Sequence, residues 1–157
     1  MSSGRRAVLL WLVASGCALP WWLHLPPRLP ACPGAIPPPA ALPGGDLVWR
    51  DRVRYRGGEV DAGFALVAEK RGERLVLVGM NAFGARVLSL TQEGGHVQAD
   101  ARLGRLLQVP PETVLRDWYA ARAAGLAPPG TVEIVRPPCG YEATFVAEGR
   151  SSPGDPD

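Results

Sequence analysis

The chain has 157 residues, with 17 Lys and Arg against 15 Asp and Glu, for a formal net charge of +2. That length allows one small domain, and so slight a positive balance argues against a nucleic-acid-binding module. Two histidines and three cysteines, without ligand spacing among them, give no support for a metal site or a cofactor.

Met1 to Arg6 is a short basic region, Ala7-Val8-Leu9-Leu10-Trp11-Leu12-Val13 is apolar, and Ala14-Ser15-Gly16-Cys17 is a run of small residues ending in cysteine. This order resembles a bacterial lipoprotein signal, which is cleaved so that the acylated cysteine becomes the new N-terminus. The resemblance implies that residues 1–17 are the signal and that Cys17 carries the lipid. With Ala18 rather than Asp after the cysteine, it also implies the periplasmic face of the outer membrane. A second reading keeps Ala7 to Leu25 as an uncleaved anchor. That stretch has about the length of a bilayer span, but it contains Pro20 and His24. Cleavage would remove Arg5 and Arg6, and the remaining chain would be formally neutral.

Residues 18–45 read as a proline-rich tether. Nine prolines fall between Pro20 and Pro43, and such a run favours extended polyproline II over helix or sheet. Trp21 and Trp22 read either as placed in the headgroup region, where indole rings concentrate, or as capping the folded domain. If Cys17 is acylated, Cys32 and Cys139 are left as one pair in a compartment that permits disulfides. They read either as a bridge from tether to domain or as two free thiols.

The domain is expected over residues 46–148. Trp49, Val53 and Tyr55 alternate with arginines, and Phe64 to Ala68, Leu75 to Val78, Arg86 to Thr91 and His96 to Asp100 follow as short strands. Arg71-Gly72-Glu73 and Glu93-Gly94-Gly95 supply turns between them. Pro110-Pro111-Glu112 opens a helix on which Val114, Leu115, Trp118 and Ala121 recur at helical spacing. Arg116, Asp117 and Arg122 are expected elsewhere on its wheel. Thr131 to Arg136 and Tyr141 to Ala147 read as two closing strands, and residues 149–157 as a disordered tail. The sum is an α+β fold, a curved antiparallel β-sheet with one amphipathic helix packed on it.

Arg50, Arg52, Arg54 and Arg56 recur at every second position, so a strand there turns all four to one face. They read as a contact for anionic headgroups or as charges that keep an edge strand from pairing. Reactive constellations are lacking in the sequence. There is no Gly-x-Ser-x-Gly element, His96 stands alone beside a turn, and the glycines of Gly79 to Gly84 precede no helix that could cradle phosphate. The expectation is a protein that is not an enzyme.

The stretch Gly79-Met80-Asn81-Ala82-Phe83-Gly84-Ala85-Arg86, between the apolar strands Leu75 to Val78 and Val87 to Leu90, carries a family resemblance. With Leu106 to Pro110, Val114 to Trp118 and Cys139-Gly140-Tyr141, it resembles a group of uncharacterised bacterial lipoproteins found near lipid or aryl-polyene biosynthesis genes. In outline the group is similar to the LolA/LolB lipoprotein carriers. The resemblance implies a partial half-barrel whose concave side binds acyl chains. Phe64, Leu66, Leu75, Leu77, Leu88, Leu90, Leu115 and Trp118 would then line a lipid groove, unless they form the solid core of a small domain. Two functions follow as expectations: binding or handling of lipid acyl chains, or a structural or assembly lipoprotein that presents a surface to an envelope protein.

Overall fold

In the computed structural model, residues 26–100, 103 and 107–152 are described. Glycine-led turns set the order of the first five strands. β1 (Leu47–Gly57) turns through Gly58-Glu59 into β2 (Val60–Arg71), which turns through Gly72-Glu73 into β3 (Arg74–Met80). β4 (Arg86–Glu93) turns through Gly94-Gly95 into β5 (His96–Ala99). The first residue of each two-residue loop has φ +56°, a conformation open to glycine and matched to the twist of a tight hairpin. The single helix, α1 (Pro111–Ala123), leads to β6 (Gly130–Arg136) and β7 (Tyr141–Ser151).

The seven strands form one antiparallel sheet in the order β5-β4-β3-β2-β1-β7-β6. This is an α+β fold, an open sheet with one helix. β1 lies between β2 and β7, so the edge-strand reading of its arginines is corrected: both of its edges are already hydrogen-bonded. Strand alternation places Trp49, Asp51, Val53 and Tyr55 on the buried face and Arg52, Arg54 and Arg56 on the exposed one.

α1 covers the inner face, and its apolar stripe of Val114, Leu115, Trp118 and Ala121 is buried there. Two carboxylates seat it. Asp51 of β1 accepts from Trp118 Nε1 at 2.9 Å and pairs with Arg122, whose Nη1 also donates to the Leu126 carbonyl at 2.9 Å. The Arg122 guanidinium lies 5.2 Å from the Trp118 ring centroid and 5.6 Å from that of Trp49. Asp117 reaches the other way, accepting from Tyr141 Oη at 2.8 Å and from Arg136 Nε at 3.0 Å. The expected helical wheel is therefore corrected. Asp117 is fully buried and the Arg122 side chain is 9% exposed, because each finds an opposite charge across the sheet.

The proline-rich stretch is not a free spacer from residue 26 onward. Leu29, Cys32 and Leu42 are buried. Cys32 is bonded to Cys139, with Cα atoms 5.7 Å apart. Proline removes backbone donors but leaves carbonyls, and the domain donates to them: Gln92 Nε2 to Pro37 O at 2.7 Å and Arg116 Nε to Gly34 O at 3.1 Å. The start of the expected tail is also corrected. β7 runs to Ser151 because β1 offers it partners as far as Val48.

Burial raises the hydroxyl pKa of all three tyrosines above the ordinary value, with the Asp117 charge adding to the effect at Tyr55 and a hydrogen bond to Asp117 adding at Tyr141. The unfolded chain releases these protons near pH 10, so the tyrosines' contribution to stability is complete below that pH and is lost above it. Phenolate absorbance is expected to stay absent through pH 10 and then to rise in one step with loss of near-UV dichroism. Three phenols titrating near pH 10 in folded protein would contradict this. Asp51→Ala is expected to cost about 3–5 kcal/mol in denaturant unfolding, because it strands the buried Arg122 charge. Asp61→Ala, which breaks a solvent-exposed pair, should leave the denaturant midpoint nearly unchanged.

Candidate functional site

The eight residues expected as groove or core are at most 4% exposed and belong to one packed cluster. Phe64 and Tyr55 stack with centroids 6.3 Å apart, and Trp118 meets Trp49 edge-on at 5.4 Å. α1 fills the side of the sheet on which a groove would lie, so Phe64, Leu66, Leu75, Leu77, Leu88, Leu90, Leu115 and Trp118 are core. Cys17, Trp21 and Trp22 lie outside the described residues.

The outer face carries the arginine row, but carboxylates from both neighbouring strands meet it. Arg54 binds Asp61 of β2 through Nε–Oδ1 at 2.7 Å and Nη2–Oδ2 at 2.6 Å, with Arg56 3.9 Å away. Arg52 pairs with Glu148 of β7, and Arg50 Nη1 donates to Ser151 Oγ at 3.3 Å. Alternation along β7 turns Glu148 outward beside Arg52, and the register shift after it brings Arg150 opposite Trp49. The hydrogen bond from Arg54 holds the Asp61 carboxyl below its ordinary pKa. The row is thus a charge-paired surface rather than an open anion cradle.

Beside it lies a depression of about 540 Å³, lined among others by Gly63, Ala65, Met80 and Ala82, with Arg52 and Arg54 along one side. Gly63 stands opposite Arg54 in the ladder, and Ala65 opposite both Arg52 and Met80. The hollow arises because a hydrogen and a methyl group sit between long side chains. Val67 and Val78, paired across β2 and β3, continue the same face and are half-buried.

The loop from β3 to β4 stands next to this hollow. Asn81 Oδ1 accepts from the backbone N–H groups of Phe83 and Ala85, each at 3.0 Å. Asn81 N donates to Ala85 O and Gly84 N to Asn81 O, both at 2.9 Å. Gly84, at φ +75°, closes the turn. The loop is therefore fixed by its own hydrogen bonds, yet it holds Phe83 95% exposed. The other large exposed apolar residues among those described, Val135 and Val146, are 57% and 36% exposed. A bulge at Val87 sets both Val87 and Leu88 into the core and pairs Arg86 with Met80 on the outer side.

The face offers apolar contact and charge pairing. Sequence reasoning singled out the Phe83-Gly84 turn as a family feature but not the exposure of its ring, because a phenylalanine between two apolar strands ordinarily reads as core. The available signal was Asn81 two residues before Phe83 and Gly84 just after it, a pairing that favours a self-bonded turn.

Residues 48–124 match a family described as a protein of unknown function, DUF3261. The match runs from β1 through α1 and includes the Phe83 loop, the hollow and both seating aspartates. No curated protein matches the chain.

Phe83→Ser is expected to leave unfolding free energy within about 0.5 kcal/mol of the parent, since the ring touches little. Asn81→Ala removes two hydrogen bonds and should cost about 1–2 kcal/mol in the same assay. Measured on the dilute, monomeric chain, a large loss on Phe83→Ser would show that the ring packs on its own domain.

Proposed function

With a DUF3261 domain at residues 48–124 as the premise, we propose that the chain is a lipid-anchored outer-membrane protein without enzymatic activity. It acts by presenting its Phe83-bearing outer face to a macromolecule of the cell envelope. One observation carries this reading. The inner side of the sheet is filled by α1, while a rigid loop holds a large aromatic ring in solvent beside a hollow. Leaving such a ring exposed forgoes about 1.5–3 kcal/mol of burial, which contact with a partner would recover.

The acyl-chain reading, with its likeness to LolA/LolB carriers, keeps a narrower basis. The concave site is occupied by core, so an acyl chain would have to use the outer hollow, whose volume of about 540 Å³ falls within the usual range for ligand pockets. Delipidated protein that binds a fluorescent fatty acid, with the binding abolished by Ala65→Trp, would favour it over the interaction surface.

The anchor itself rests on the signal-like residues ending at Cys17. Cys17→Ser is expected to release the protein from the outer-membrane fraction and to remove the acyl mass from the intact chain. Retention in the membrane without acyl mass would instead identify residues 7–25 as the anchor.

A further inference from the structure

We propose that the partner of this face is a second copy of the same chain. Two copies pack outer face to outer face about a two-fold axis, each seating its Phe83 ring in the other's hollow. The inference rests on the reading of this face as an interaction surface, and it names the partner.

Three observations converge. The first is shape. A two-fold contact uses the same patch on both copies, so the patch must be complementary to itself. Here the knob and the hole are neighbours: Asn81 and Ala82 line the hollow and Phe83 follows them in the chain. A rotation that brings one ring into the opposite hollow therefore brings the second ring into the first. A phenyl ring fits within about 540 Å³, on a floor of Gly63 and Ala65 that leaves it room, with Arg52 and Arg54 close enough for cation–π contact.

The second is charge. The patch carries both signs, Arg52, Arg54 and Arg86 together with Asp61 and Glu148. A surface of mixed sign can meet itself. An anionic bilayer or a strongly acidic partner would meet the two carboxylates as well as the arginines. Arg86, exposed at the rim beside Met80, is placed to reach the opposite copy's acidic side. Ala65, Val67, Val76 and Val78 continue the face as half-buried apolar side chains, the kind of surface that packs sheet on sheet at about 10 Å.

The third is the position of the anchor. The Phe83 loop, the β1–β2 turn and the β6–β7 connection lie at one end of the sheet, as the strand pairings dictate. The chain enters at that end. Leu29 abuts Gly57, and Cys32 is bonded to Cys139. A two-fold axis running along the strands therefore brings both N-terminal segments out on the same side, compatible with anchoring in one bilayer. Tethering both copies there raises their effective concentration further.

The test uses two differently tagged full-length copies, one carrying Phe83→Cys and the other Ala65→Cys, with the chain lacking an added cysteine as background. Oxidation is expected to trap a species of twice the chain mass carrying both tags. Phe83→Cys with Glu73→Cys, at the opposite end of the sheet, should trap none. Full-length protein in detergent is expected to sediment as a dimer. Phe83→Ser should weaken dimerisation about a hundredfold, a factor of about ten for each of the two rings, with far-UV dichroism showing the same fold as the parent. The same sedimentation with Cys17→Ser should give the same dimer, so failure of the lipid anchor is scored separately from failure of this contact. If Phe83→Cys traps a species of any other mass, the face serves a different protein and the inference is overturned while the interaction reading stands. A chain that is monomeric at every concentration and traps nothing overturns it as well.

Discussion

The seating of α1 across the inner face is the constraint from which the rest of the structure follows. It is held reciprocally: a sheet carboxylate, Asp51, receives helix donors, and a helix carboxylate, Asp117, receives sheet donors. Between these points Trp118 and Leu115 fill the space over the sheet. Buried charge of this kind adds little net stability over an apolar core. It does fix position, because a helix rotated by even one residue would strand two ionised groups in the interior. Tyr119, donating to the buried Gln92 at 2.9 Å, and Gln92, donating in turn to Pro37, extend the same fixing to the proline-rich segment.

With the inner side filled, the outer face is the one left in solvent. Its features come from local geometry. Two bulges, at Glu148 and Val87, bring Arg150 opposite Trp49 and set two apolar side chains inward. A ladder of small residues beside long ones makes a hollow. A self-bonded turn holds an aromatic ring where the hydrophobic effect alone would not leave it.

The disulfide joins the two themes. By fastening Cys32 to Cys139 it ties the incoming chain to the end of the sheet that also bears Phe83. Whatever holds the N-terminal segment thus also restricts the orientation of that end.

Much of the fold was legible in the residues: the hairpin glycines, the alternating strands, and the helix opening at Pro111 with its apolar stripe. These are local signals, determined by backbone sterics and by the period of side-chain directions, and they need no knowledge of neighbours. The inward Asp51 could be placed by alternation with Trp49 and Val53, but its partners on α1 could not, since they lie 67 and 71 positions away. For the same reason Asp117 and Arg122 read only as lying elsewhere on the wheel, although their opposite charges wait across the sheet. The proline-rich stretch read as a spacer because composition records missing donors, not the side chains that reach its carbonyls. By itself the sequence determined the elements, their order and the pairing-competent turns. Only the tertiary structure decided that β1 is central, that the hollow under the helix is closed, and that Phe83 faces out. Those outcomes depend on which distant surfaces meet, and that is settled by packing rather than by local preference.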